Sequence, residues 1–188
     1  MTPLSDRPAD APVARTSHRR LGFVALSVFA AAALAMWGYA LFFATGRSPD
    51  KVPDRGWAAR AQSICTSARA DIDALPAAET FRKVEPRAEA LRQRVAVLDR
   101  ANEILGSELA ALRALPTADP TTSRLTGQWL TDWDTYLGDR RTHADELRAG
   151  KAVPFSETTY KDSPISNRMD AFARVNLMPR CGTPFDLA

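Results

Sequence analysis

Apolar positions are distributed along this chain in two ways. From Leu21 to Phe43 they are nearly continuous, and in 23 residues only Gly22, Ser27 and Gly38 are not plainly apolar. Beyond residue 56 they recur every three or four positions, the period of a helix with one buried face.

The continuous run predicts a helix about 34 Å long, enough to cross a hydrocarbon core of about 30 Å. No water is present there, so the backbone must bond to itself, as a helix does. Trp37 and Tyr39 lie toward the C-terminal end, where interfacial aromatics are favoured. The rival reading is a cleaved signal sequence with Ala44-Thr45-Gly46 as its small-residue site. The apolar part of such a signal is usually about 7–15 residues, shorter than this run. No cysteine adjoins the run, so a lipid anchor is not expected.

The periodic part predicts four helices. The first runs from Trp57 to Leu75, with Trp57, Ala61, Ile64, Ala68, Ile72 and Leu75 on one face. Pro76 ends it, because proline has no N–H to continue the ladder. The second runs from Pro86, or from as early as Phe81, to Leu115. Along it Ala88, Leu91, Val95, Leu98, Asn102, Leu105, Leu109 and Leu112 alternate three and four apart. This is a heptad stripe, and Asn102 is its polar member. Such an asparagine either fixes the register of a coiled coil or is a buried amide satisfied inside an intramolecular bundle.

Asp119-Pro120 supplies a cap followed by proline for the third helix, Thr121 to Ala149, and Gly150 stops it. Leu125, Trp129, Trp133, Tyr136, Leu137, Arg140, Ala144 and Leu147 lie on or near one face of it. Residues 151–163 read as a polar loop. Ser163-Pro164 repeats the cap signal before a fourth helix, Pro164 to Asn176, with Ile165, Met169, Phe172 and Val175 inward. No segment sustains strand alternation.

The expected architecture is therefore all-α, with one N-terminal transmembrane helix and an antiparallel, roughly four-helix extracytoplasmic bundle. Residues 1–20 form a disordered cytoplasmic tail, 21–43 the transmembrane helix and 44–56 a linker rich in Gly and Pro. Residues 57–188 form the helical extracytoplasmic domain.

Charge decides the direction. The chain of 188 residues has a net charge of +3, but residues 46–188 hold 21 basic and 20 acidic side chains. Arg15, His18, Arg19 and Arg20 crowd the N-terminal flank of the apolar run, whereas only Arg47 and Lys51 follow it closely. The denser basic flank stays in the cytoplasm, which places the main domain outside. Interspersed signs on that domain describe a solvated helical surface, not the clustered cation that neutralises phosphates. No nucleic-acid partner is expected. The expected partners are the lipid bilayer, through residues 21–43, and an envelope protein.

Two cysteines, Cys65 and Cys181, form an even count in a translocated domain, which favours a disulfide over two buried thiols. Neither has a second ligand at metal-binding spacing, and no metal or cofactor is expected.

Catalytic patterns are scarce. The zinc-protease pattern H-E-x-x-H and the nucleophile elbow G-x-S-x-G do not occur. Ser48 and Lys51 match S-x-x-K, but they lie in the linker without companion motifs. Asp71/Asp73 and Asp132/Asp134 are two apart, so each pair points to opposite sides of its helix. His143 follows Asp139 by one turn, as a general base or pH sensor would require, and as surface pairs commonly do. No catalytic residue is assigned. Trp129, Trp133, Tyr136 and Arg140 share one helix face. They form either a platform for a partner or ligand or part of the core.

Trp129, Trp133, Tyr136, Asp139-Arg140, Leu147 and Gly150, followed by Phe155, Ile165, Phe172, Asn176, Cys181 and Pro184, form a pattern of dispersed aromatics. Over residues 57–188 it resembles small single-pass membrane-anchored proteins of high-GC Gram-positive (actinobacterial) bacteria. Those proteins have helical outer domains and no assigned activity. Of the 25 basic residues 21 are arginine, which fits such a source. The resemblance implies placement and fold and transfers no functional residue. The expected function is a non-enzymatic, membrane-anchored interaction or accessory module of the cell envelope. The alternative is an extracytoplasmic sensor of a small ligand, bound on the aromatic face.

Overall fold

The computed structural model describes residues 17–42, 48–151 and 153–184, and the chain separates into two units, 1–47 and 48–188. The first contains α1, Ser17–Phe42. Its apolar stretch Gly22–Ala40 is long and apolar enough to cross a membrane, and none of it is buried by protein. A signal sequence near an N-terminus has the same character. The helix begins at Ser17, four residues before the expected start. The rest of the expected tail, residues 1–16, and the small-residue site at 44–46 lie outside the described residues.

The second unit is built from α2 (Arg55–Asp73), α3 (Arg87–Arg113), α4 (Pro120–Arg148) and α5 (Ile165–Val175). Short 3₁₀ turns at Ala78–Lys83 and Pro179–Cys181 complete it. The longest contact is α3 against α4, and α2 packs on α3 while α5 packs on α4. Ties between α3 and α4 run in opposite chain directions. Asp99 pairs with Arg148, Asn102 with Arg140 and Arg113 with Asp134.

Local chemistry sets the ends. Asp54 accepts the Trp57 N–H at 2.8 Å to cap α2, and Asp119 accepts the Thr122 N–H at 2.6 Å to cap α4. The two caps are linked, because Thr117 donates to the second oxygen of Asp54 and the Asp54 N–H donates to Thr122. Gly150, at φ +78°, takes the left-handed turn that ends α4. The expected Ser163 cap on α5 does not form. Ser163 is extended in a two-residue ladder with Tyr160, and Glu157 accepts the Ser166 N–H at 2.8 Å instead. The tip of that hairpin is Lys161 and Asp162, both at positive φ, the turn that matches strand twist.

The expected linker is only partly a linker. Val52 is buried, its N–H donates to Asn176 Oδ1 at 2.8 Å, and Asn176 Nδ2 donates to the Asp50 carbonyl at 2.9 Å. These bonds tie the segment from residue 50 onward to the end of α5.

The core follows the periodic stripes. It gathers Trp57, Ala61, Cys65 and Ile72 of α2, Leu105, Leu109 and Leu112 of α3, Leu125, Trp129 and Trp133 of α4, and Met169 and Phe172 of α5. Each large apolar side chain buried this way contributes about 1.5–3 kcal/mol. A smaller cluster of Val95, Leu98, Ala144 and Leu147 lies between α3 and α4. The start of the heptad stripe is only partly covered: Leu91 packs half-buried against that cluster, Ala88 is exposed, and both border a groove of about 520 Å³ shared with Val95, Leu147 and Gly150.

Cys65 and Cys181 form a disulfide, with their Cα atoms 5.0 Å apart. It fastens the middle of α2 to the turn that follows α5.

Candidate functional site

The distinctive face of α4 turns inward. Trp129, Trp133, Tyr136 and Arg140 are all buried, so they form no open platform. Their spacing puts them on the stripe that α2, α3 and α5 cover. The rings make a continuous ladder. Trp57 meets Trp129 edge-on at 6.5 Å, and Trp129 stacks on Phe172 at 5.2 Å. Trp133 meets Tyr136 at 5.7 Å, and Phe155 from the 151–158 loop meets Tyr136 at 5.8 Å. Such edge and offset contacts each contribute about 0.5–1.5 kcal/mol beyond area burial. Trp129 Nε1 donates to the Met169 carbonyl at 3.2 Å, while Trp133 Nε1 has no hydrogen-bond partner among the described residues.

Arg140, at 0% exposure, donates from Nε to Asn102 Oδ1 at 2.7 Å and lies over the Tyr136 ring. Asn102 therefore faces α4 of its own chain. It is the buried amide of an intramolecular packing, with its Nδ2 left without a hydrogen-bond partner among the described residues.

His143 is 2% exposed, and neither ring nitrogen finds a hydrogen-bond partner among the described residues. It does not meet Asp139. That carboxylate turns to the loop, accepting the Thr158 N–H at 2.6 Å and its hydroxyl at 3.1 Å. Phe155, held by the same loop, lies 5.6 Å from the imidazole. Burial holds the His143 pKa below its ordinary value, and Arg94 and Arg140 add to this against the opposing pull of Glu146.

Asp132 and Asp134 diverge, as their spacing requires. Asp132 pairs with Arg168 at 3.1 Å and Asp134 with Arg113. Ser48 and Lys51 form a turn closed by their own backbone at 3.0 Å.

Glu108 on α3 is a residue that sequence reasoning missed. It is 6% exposed, and its carboxylate and the sulfurs of Cys65 and Cys181 lie within 4.8 Å of one another. Burial pushes its pKa up to about 7, against the opposing pull of Arg69. The available signal was its place one residue before Leu109 in the heptad stripe, next to the buried seam. Nearby, Arg69, Arg174 and Arg180 line a depression of about 420 Å³ with Asp73, Asp170 and Gly182. Asp170 is already committed to the Thr183 N–H at 2.7 Å and to its hydroxyl.

Comparison with protein families, with curated proteins and with solved structures finds no match for this chain.

Proposed function

We propose that this chain is a non-enzymatic interaction module of the cell envelope, anchored in the membrane by α1. In this reading the N-terminus is cytoplasmic and unit 48–188 is an extracytoplasmic, antiparallel four-helix bundle that contacts another envelope protein. The observation that carries it is the exposure of α1. A helix of 26 residues with Phe29, Leu34 and Trp37 all outward is stable in lipid and costly in water. It belongs to a different unit from the compact helical part, the organisation of a tether and a module.

Three further facts support the reading. Arg15, His18, Arg19 and Arg20 precede the apolar stretch, which favours a cytoplasmic N-terminus. The disulfide suits an oxidising compartment. The polar groups that first suggest chemistry have structural employment: Asp139 holds the loop, Asp132 and Asp134 pair with arginines, and Arg140 braces Asn102. Burial of Trp129, Trp133 and Tyr136 counts against a small-ligand platform on α4.

Two experiments test the proposal. A reporter active only outside the cytoplasm, fused after residue 188, is expected to be active, and a cytoplasmic signal would overturn the orientation. Mild cross-linking of tagged protein in native membranes is expected to recover a specific envelope protein. Recovery of none, across several detergents, would sink the interaction reading.

A further inference from the structure

The acids of α3 divide into two kinds. Glu89, Asp99 and Glu103 lie toward solvent, and each pairs with an arginine. Glu108 faces inward and makes no hydrogen bond or salt bridge to a described residue. What it does face is the disulfide, its carboxylate oxygen and both sulfurs lying within 4.8 Å of one another. A carboxyl so placed gains nothing from an intact S–S bond, which is a poor acceptor. It gains a partner when the bond opens, because a thiolate accepts its proton.

The two sulfurs are held differently. Cys65 sits in the middle of α2. Cys181 ends a three-residue 3₁₀ turn, and the next residue, Gly182, lines the depression bordered by Arg69, Arg174 and Arg180. Arg174 and Arg180 have no carboxylate partner among the described residues. Asp73 and Asp170 share that rim, so its three arginines leave a small net positive charge, which favours the anionic thiolate that attacks in disulfide exchange. Both cysteines have 0% exposure, so attack follows a local opening. The opening moves the short turn carrying Cys181 and breaks the bonds from Arg69 to the Gly182 carbonyl and from the Arg180 N–H to Gln62.

We propose that Cys65–Cys181 is a reducible, proton-coupled disulfide, in which the Glu108 carboxyl gives its proton to the departing Cys65 sulfur. One thiolate of a dithiol reductant attacks Cys181 Sγ. The S–S bond breaks, its electron pair stays on Cys65 Sγ, and the Glu108 proton moves there, leaving a carboxylate. The second thiol of the reductant loses its proton to water and attacks the reductant's own sulfur in the mixed disulfide, which expels the Cys181 thiolate and closes the oxidised, cyclic reductant. Water reprotonates Glu108 and Cys181. The protein gains two electrons and two protons, and the dithiol loses the same.

Supporting this role, burial keeps the carboxyl protonated up to about pH 7, and Arg69 on α2 is the charged group acting against that. A general acid works best with its pKa near the ambient pH.

The test is the rate of reduction of the full chain in detergent by excess dithiothreitol between pH 5.5 and 8.5, divided by the reductant's thiolate concentration. For the wild type this normalised rate is expected to fall about tenfold or more as pH rises through 7. Glu108→Gln is expected to be slow and flat across the range. If ionised Glu108 merely loosened the fold, the wild-type rate would instead rise with pH. That rise, or a Glu108→Gln profile with the same inflection as wild type, overturns the proposal. A second readout needs no variant. Infrared difference spectra at pH 6 should show the protonated-carboxyl band shifting on reduction, and an unchanged band overturns the proposal too.

Discussion

Arg140 of α4 donates from Nε to Oδ1 of Asn102 on α3 at 2.7 Å, inside the packed interior. The guanidinium and the amide define where the two longest helices meet. Removing the amide withdraws an acceptor from a buried charge. Asn102→Ala is expected to lower stability by roughly 2–4 kcal/mol, read as a shift in the urea midpoint with an unchanged slope.

The disulfide spans 116 positions of sequence, so it removes much of the unfolded chain's freedom. The loop-entropy estimate is about 4–5 kcal/mol. Replacing Cys65 and Cys181 together with serine is expected to lower the melting temperature on the order of 10–20 °C. Equal melting of the variant and the parent would contradict this.

Two buried groups give stability opposite pH dependences. Glu108 has its pKa raised from 4.5 to about 7 in the fold, so folding favours its protonated form. Its contribution is fully present below pH 4.5 and is lost as pH rises through 7. Glu108→Gln is expected to stabilise the chain by about 1–3 kcal/mol at pH 8 and by little at pH 5, measured by denaturant titration at both.

His143 has its pKa held below 6.5, so folding favours the neutral ring. The fold loses stability as pH falls below 6.5, because the unfolded chain binds the proton first. His143→Leu is expected to flatten the acid side of the stability profile. An unchanged acid limb would show that the imidazole is not the group responsible.

Leu177 follows α5 at φ +62° with its side chain 72% exposed. The position closes the helix, with the Met178 N–H donating to the Ala173 carbonyl at 2.8 Å, a geometry that glycine adopts freely. Leu177→Gly is expected to raise stability by about 0.5–1 kcal/mol, seen as a higher melting temperature.

That Trp129, Trp133, Tyr136 and Arg140 share one face of α4 was legible in the sequence, because helical period alone decides which side chains share a side, whereas its burial depends on what the other helices cover. The caps at Asp119 and Gly150 were legible because they depend on a few consecutive residues. His143 was not. Its burial comes from Phe155, carried over α4 by a loop that Asp139 anchors, and local periodicity does not encode what a later loop covers. The same reason hid the Glu157 cap on α5, since the capping residue lies nine positions from its donor. Glu108 was hidden by its type, because an acid beside a heptad stripe reads as a flanking surface charge. Only the approach of α2 and the last turn, through Cys65 and Cys181, makes it interior.

The central claim is that α1 holds a folded unit to a membrane and is not removed as a signal. Extraction of membranes with alkaline carbonate, from cells making the chain with a C-terminal tag, tests this most directly. The expected result is a tagged band of full length that stays in the membrane pellet. A soluble band shortened by about 45 residues, the length of a signal sequence ending near Ala44 to Gly46, would contradict it.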